Sequence, residues 1–341
     1  MSSKPIAVLG SDIHYALSTL PLADAATKQM VAKANELGIP LVIAGDLHDT
    51  KSLHRAECQE AMLSTLREAK QDPLILVGNH DRRNEKAPEH ALHFLEGVAH
   101  LITRPCTWDR GALRATLIPY QHDPEEFKKA ASQSNSLVIC HQGIIGADMG
   151  HYVQDKSALC KEDVADFRVV SGHYHRRQDI KCGRPRKGAI GLFSYIGNPY
   201  TLTFAEAKDP PKGFQILMDD GTLEFVPTNL RKHIVMQFSV DDLESGKELH
   251  PELPRMNDLV WIKLSGTRSQ LAALSKKDLG DRLFSPGFDY RLDKTPIDAE
   301  VSETKVEGLS NFEAMDSVIE DASETAEQKV ELRRLYRELL G

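Results

Sequence analysis

Short, bounded runs of Val, Ile and Leu recur along the first 230 residues, separated by turn-rich or amphipathic stretches. Up to residue 80 they alternate with helical periodicity: a strand pattern from Ile6, a helix near 21–37, a strand at 41–45, a helix near 52–69 and a strand at 74–78. This βαβ alternation predicts parallel pairing and right-handed crossovers. Thereafter the pattern is richer in β, with strands expected near 98–103, 113–118, 136–140, 167–171, 179–182, 189–196, 214–219 and 222–226. Gly197-Asn-Pro199 and Asp209-Pro-Pro-Lys-Gly213 mark loops. Two packed mixed β-sheets flanked by helices, an α/β fold, accommodate both halves.

From about residue 231 the character changes. A strand at Asp258–Leu264, a helix at Ser269–Lys276 and a strand at Phe288–Leu292 predict a small α/β capping domain. Beyond Pro296 a polar linker leads into helical periodicity, with Phe312, Met315, Val318, Ile319 and Ala322 on one stripe and Leu332, Leu335, Tyr336 and Leu339 on another. The chain therefore divides into 1–230, 231–296 and 297–341, as expected when 341 residues exceed what one core fills.

Composition adds little to this but excludes several classes. A hydrophobic content of 41% with 27% charged residues argues against large-scale disorder. The chain enters an apolar strand without a basic region and a long apolar stretch, so no signal peptide is expected, and no apolar run approaches bilayer length. Five cysteines without a C-x-x-C pair fit reduced thiols in a cytoplasmic compartment. The net charge of −8 would disfavour a polyanion ligand. Its distribution changes that reading, because residues 301–341 hold ten Asp or Glu against five Lys or Arg. Arg82, Arg83, Arg176 and Arg177, with Lys181, Arg184, Arg186 and Lys187 close behind, are either solvated surface charges or a local phosphate-binding rim.

What gives the pattern chemical content is how five of the apolar runs end. They read Ile6-Ala-Val-Leu-Gly-Ser-Asp12-Ile-His14, Leu41-Val-Ile-Ala-Gly-Asp46, Leu74-Ile-Leu-Val-Gly-Asn79-His80-Asp81, Leu137-Val-Ile-Cys-His141 and Phe167-Arg-Val-Val-Ser-Gly-His173-Tyr-His175. Ligands bind at the carboxyl ends of strands in α/β sheets. Asp12, His14, Asp46, Asn79, His141, His173 and His175 are thus candidate ligands of two divalent metal ions. Oxygen and imidazole donors without thiolate suit Mn, Fe or Zn in an open catalytic site. Asp46 is the natural bridge, with Asp12, His14 and His175 completing one site and Asn79, His141 and His173 the other. Two such ions about 3.5–4 Å apart clamp the attacking and leaving oxygens of an in-line displacement at phosphorus. His80 reads as phosphate contact and general acid, with Asp81 fixing its tautomer. His48, His54, His90, His93, His100, His122, His151, His233 and His250 lack such context and read as surface or packing residues.

With these five blocks the chain resembles the calcineurin-like metallophosphoesterases. The segment Tyr195-Ile-Gly-Asn-Pro-Tyr200-Thr-Leu-Thr-Phe204, followed by Lys212-Gly-Phe214 and an apolar strand, narrows the likeness. It is similar to SbcD-type DNA nuclease subunits, their counterparts in double-strand-break repair, and the recombination nuclease subunit of large tailed phages, whose compact form fits this length best. The resemblance covers residues 5–230 well. It implies a Mn-dependent nuclease, exonucleolytic from 3′ ends and endonucleolytic on single strands, in bacterial or phage-infected cytoplasm. It also implies an SbcC-like coiled-coil ATPase partner, a cap at about 235–295 that contacts DNA, a docking helical segment at about 309–340, and a homodimer. One departure stands out: some members carry a second phosphate-contacting histidine where this chain has Asp49. The rival readings are a phosphatase or phosphodiesterase acting on a non-DNA phosphoester, and a scaffold that has lost its chemistry.

Overall fold

The computed structural model describes residues 3–297 apart from Ser52, Glu85, Ala87, Ala112 and residues 134–136, 149–157, 184–190 and 251–253. The expected helical tail, His151, Arg184, Arg186 and Lys187 lie outside the described residues.

The first sheet is built from β1 (Pro5–Gly10), β2 (Leu41–Ile43), β3 (Leu74–Leu76) and β4 (His100–Ile102), paired in parallel in that order. Helices α1 (Leu20–Leu37) and α2 (Ala56–Leu66) make the first two crossovers. The second sheet contains β5 (Cys106–Arg110), β6 (Leu113–Ile118), β7 (Leu137–His141), β8 (Arg168–Gly172), β9 (Gln178–Lys181) and β10 (Leu192–Tyr195), in the order β5-β6-β7-β8-β10-β9. Helix α3 (Pro124–Ala131) links β6 to β7. The chain then returns to the first sheet, where β11 (Gly213–Met218) pairs antiparallel with β1 and β12 (Leu223–Pro227) forms the edge. Both sheets are therefore mixed, and they pack as two layers with helices outside.

Continuous apolar runs are needed because the central strands are buried on both faces. Ala7, Leu9 and Val42 join Leu117, Leu137 and Ile139 in the core between the sheets. Their neighbours Val8, Leu41 and Ile43 face Met30, Val31 and Met62 of the outer helices. Val138 and Cys140 likewise pack toward Phe127 of α3. Each fully buried Leu, Ile or Val contributes about 1.5–3 kcal/mol, so this layer is the main source of stability.

The small α/β unit expected as a cap contains a parallel three-stranded sheet of β13 (His233–Ser239), β14 (Leu259–Gly266) and β15 (Tyr290–Pro296). Helix α4 (Val240–Glu244) follows β13, and α5 (Arg268–Ala273) and α6 (Lys276–Leu283) cross from β14 to β15. The single helix expected at Ser269–Lys276 is in fact two. Leu274 is extended (φ −104°, ψ 109°), and Ser275 opens a new helix by accepting from the Asp278 amide. β14 alternates buried and less buried residues, placing Val260, Ile262 and Leu264 against Leu271 and Leu279. On its other face the Lys263 ammonium and Arg291 guanidinium each stack on Trp261 at 4.1 Å. No helix among the described residues is long and apolar enough to cross a membrane.

Candidate metal centre

The parallel strands of both sheets end at the same side of the sandwich, and the ligand-type residues sit just past those ends. Asp12 and His14 follow β1, Asp46 follows β2, Asn79 follows β3, His141 closes β7, and His173 and His175 follow β8. The chain must turn sharply there. The four non-glycine residues with positive φ among the described residues are Asp12 (51°), His14 (53°), Asp46 (53°) and His173 (91°). Each such conformation costs about 1–3 kcal/mol, and such strain concentrates at functional sites. Two glycines make the crowding possible. A Cβ on Gly45 would lie 2.3 Å from His141 Nδ1, and one on Gly172 would lie 2.3 Å from the Ala44 carbonyl oxygen.

The side chains gather into two clusters that could each hold a metal ion: Asp12, His14 and His175, and Asp46, His141 and His173, with ligand atoms in each within 4.8 Å of one another. Asn79 joins the second, its Oδ1 lying 3.0 Å from both His141 Nε2 and His173 Nδ1. In that cluster His141 Nδ1 donates to the Ala44 carbonyl at 2.7 Å, leaving Nε2 to face Asp46 Oδ2 (3.1 Å) and Asn79 Oδ1 with a lone pair. With the ring neutral these three acceptor atoms point at one another as a cation's donor set; without a cation, a second proton on Nε2 takes that place, in keeping with the raised His141 imidazole. The first cluster poses the same problem. His14 Nε2 and His175 Nε2 are 3.0 Å apart, which is favourable only with a proton or a cation to share, while buried His14 Nδ1 makes no hydrogen bond. The donor chemistry fits hard or borderline divalent ions.

Charge in the centre is strongly perturbed. Burial alone would raise the Asp46 carboxyl, but the imidazoles of His141, His80 and His14 hold it far below the usual carboxylate range. Burial lowers the His14 imidazole, whereas His141 is raised because Asp46 outweighs the effect of burial.

His80 stands edge-on to His14, with ring centroids 5.0 Å apart, and its amide donates to Asp46 Oδ1 at 2.8 Å. Its tautomer is not fixed by Asp81, as the sequence suggested. The His80 Nδ1 partner is the Asp49 carbonyl at 2.5 Å. Asp81 instead accepts from four backbone amides, those of Asp46, Leu47, His48 and Gly78, at 2.9–3.0 Å. It thereby clamps the loop that carries Asp46 against the end of β3. The basic rim also needs correction. Arg82 is only 9% exposed, and its guanidinium donates to the Tyr120 carbonyl and lies over the Tyr120 ring. Its neighbour Tyr120 belongs to the wall of the site, 5.9 Å from the His173 ring. Arg176 pairs with Asp148 at 2.8 Å, and Arg177 stacks on Phe225 at 4.1 Å. Arg83 remains exposed. His48 is buried against His54 and Phe94, facing away from the ligands.

One residue close to the ligands, Glu206, escaped the sequence reading, and Asp49, noted there only as a departure, adjoins them as well. Glu206, in the short 3-10 turn Phe204–Lys208, accepts from His175 Nδ1 at 2.9 Å. Burial would raise its carboxyl, but His175 and Lys212 bring it down to about 2. Asp49 Oδ1 lies 3.4 Å from His14 Nδ1.

No family model matches the chain, and no curated protein matches its sequence. The chain is an α/β sandwich with paired histidine–carboxylate clusters at the carboxyl ends of its strands.

Proposed function

We propose that the protein is a metallophosphoesterase of the Mn-dependent DNA nuclease kind, cutting DNA ends from the 3′ side and single strands internally. It would serve as the nuclease subunit of a recombination or repair complex with an SbcC-like coiled-coil ATPase. The observation that carries this reading is the meeting of seven ligand-type side chains, from five strand ends of two sheets, in two adjoining clusters. The Tyr195–Phe214 segment, on which the likeness to nuclease subunits rests, also supports it. Tyr200 donates to the Ile13 carbonyl between two ligands at 2.6 Å, and Asn198 and Lys212 hold Glu206 behind His175.

In this reading Asp12, His14 and His175 would hold one divalent ion and Asn79, His141 and His173 the other, with Asp46 the carboxylate they would share. Bound there, the ions would supply Lewis-acid polarisation of the phosphodiester and a clamp on its oxygens. The chain's own residues do the rest. Asp81 and the glycine-lined strand ends fix the ligand loops before substrate arrives, so no reorganisation is needed during reaction. With Nδ1–H donated to the Asp49 carbonyl, the imidazolium form of His80 keeps Nε2–H to contact a phosphate oxygen and pass that proton to the leaving oxygen, which leaves the ring neutral. The small domain packs against the Tyr200–Lys212 segment through Thr201–His233 (2.9 Å) and Phe204–Trp261 (5.5 Å), and in this reading it would contact the nucleic acid.

Purified protein with Mn2+ should degrade linear duplex DNA from its 3′ ends and nick single strands. Hydrolysis confined to a small chromogenic phosphodiester, with and without the ATPase present, would place it among phosphoesterases of other substrates. Truncation before Leu309 should leave basal nuclease activity and abolish co-purification with the ATPase.

A further inference from the structure

We infer that Glu206 is a positioning residue: its carboxylate fixes the tautomer and orientation of His175 so that Nε2 is presented as a metal ligand. This rests on reading the centre as a metal site and adds to it a residue outside the ligand set. Glu206 is 5% exposed. One of its oxygens accepts from His175 Nδ1 at 2.9 Å. The other accepts from the Leu202 amide (2.9 Å) and the Asn198 side-chain amide (3.1 Å), with Lys212 Nζ at 3.3 Å. Lys212 is itself pinned by Asn198 Oδ1 (2.6 Å), Asp209 (2.7 Å) and the His175 carbonyl (3.1 Å). The carboxylate therefore cannot swing away from the ring without breaking a closed network.

A carboxylate only accepts, so the proton of a neutral His175 resides on Nδ1. Nε2 is then the lone-pair nitrogen, and it points at His14 Nε2, 3.0 Å away. An ionised partner also raises the donor strength of the imidazole. The arrangement is not shared by the second cluster's His141, whose Nδ1 leans on the neutral Ala44 carbonyl. His14 has a carboxylate only at 3.4 Å, without a hydrogen bond to Nδ1. The two clusters thus differ in how their histidines are braced, and the one completed by His175 depends on Glu206.

Calorimetric titration of the full chain with Mn2+ tests this. The wild type should take up two ions, and Glu206→Gln should weaken one of them by about 10–100-fold while leaving the other unchanged. The thermal midpoint of metal-free Glu206→Gln should show a folded protein. Should that variant fail to fold, nitrogen-15 spectra of the wild-type histidines with diamagnetic Zn2+ decide the question. A protonated Nδ1 with a metal-shifted Nε2 on His175 supports the inference, and the reverse tautomer overturns it. Unchanged affinities in a folded Glu206→Gln also overturn it, with the metal centre left intact. A wild type that binds no divalent ion instead removes the metal centre itself, and the inference with it.

Discussion

The sandwich and the cap use their polar residues in opposite ways. In the sandwich, charged and polar side chains are buried where the strands end: Asp12, His14, Asp46, Asn79, Asp81, His141, Gln142 and Glu206 all lie inside. In the cap, the buried polar side chains among the described residues are His233, which opens β13, and Asp258, just before β14. The first two helices of the sandwich also differ from those of the cap, although α3 is capped by Asp123. Ser239, Thr267 and Ser275 of the cap each form a reciprocal capping box at the start of a helix. By contrast Thr19, at the start of α1, makes no side-chain cap and donates its hydroxyl to the His14 carbonyl at 2.7 Å. One region satisfies its local rules and gains stability. The other breaks them where ligands must converge, and only functional sites are expected to tolerate that.

The largest test of the contrast is Asp46→Asn. It should abolish binding of at least one Mn2+ in calorimetry and lower hydrolysis by at least about 10³-fold. The metal-free thermal midpoint should fall only modestly, since Asn keeps an acceptor for the His80 amide while the attraction to the His141 imidazole is lost. A large loss of stability would mean that Asp46 serves the fold first. Next comes His80→Ala, which should keep both ions and lose about 10²–10³-fold in turnover, the share of a general acid. Unchanged turnover would reassign the proton donor.

Gly172→Ala separates crowding from chemistry. The added Cβ would meet the Ala44 carbonyl oxygen at 2.3 Å and His141 Nδ1 at 2.8 Å, so two strand ends must part. A loss of about 1–3 kcal/mol in a urea titration is expected, together with weaker metal uptake. Stability loss without any effect on metal would show that the His141 ring can shift and still ligate.

How much of this was legible in the chain follows from the same division. The ligands could be read because each lies within a few positions of an apolar run, and a two-layer α/β sandwich brings such ends together. Glu206 could not, because it sits in a 3-10 turn with no apolar run of its own and its partner His175 is 31 positions earlier. Asp81 was placed near the site, but its role depends on where four backbone amides point, which no spacing encodes. Arg82 looked like a rim cation because sequence shows charge and not burial. The two cap helices read as one because the apolar periodicity runs on past Leu274. The Ser275–Asp278 pair was the available stop-and-start signal. β13 has no counterpart among the expected strands, because its buried residues alternate only in part.

The smallest and sharpest prediction concerns the cap alone. Thr267 Oγ1 accepts from the Gln270 amide at 3.2 Å, and Gln270 Oε1 accepts from the Thr267 amide at 2.8 Å. Gln270 also donates to Asp241 at 2.7 Å, tying the start of α5 to α4. Thr267→Ala removes one acceptor from an exposed helix start and should cost about 1 kcal/mol. If the cap is the locally consistent region described above, that loss stays within it, and Mn-dependent hydrolysis of a short phosphodiester is unchanged. A several-fold fall in hydrolysis would instead mean that strain in the cap reaches the centre. The route would then run through the Phe204 contacts with His233 and Trp261 and the turn that carries Glu206, and the two regions would no longer be separable.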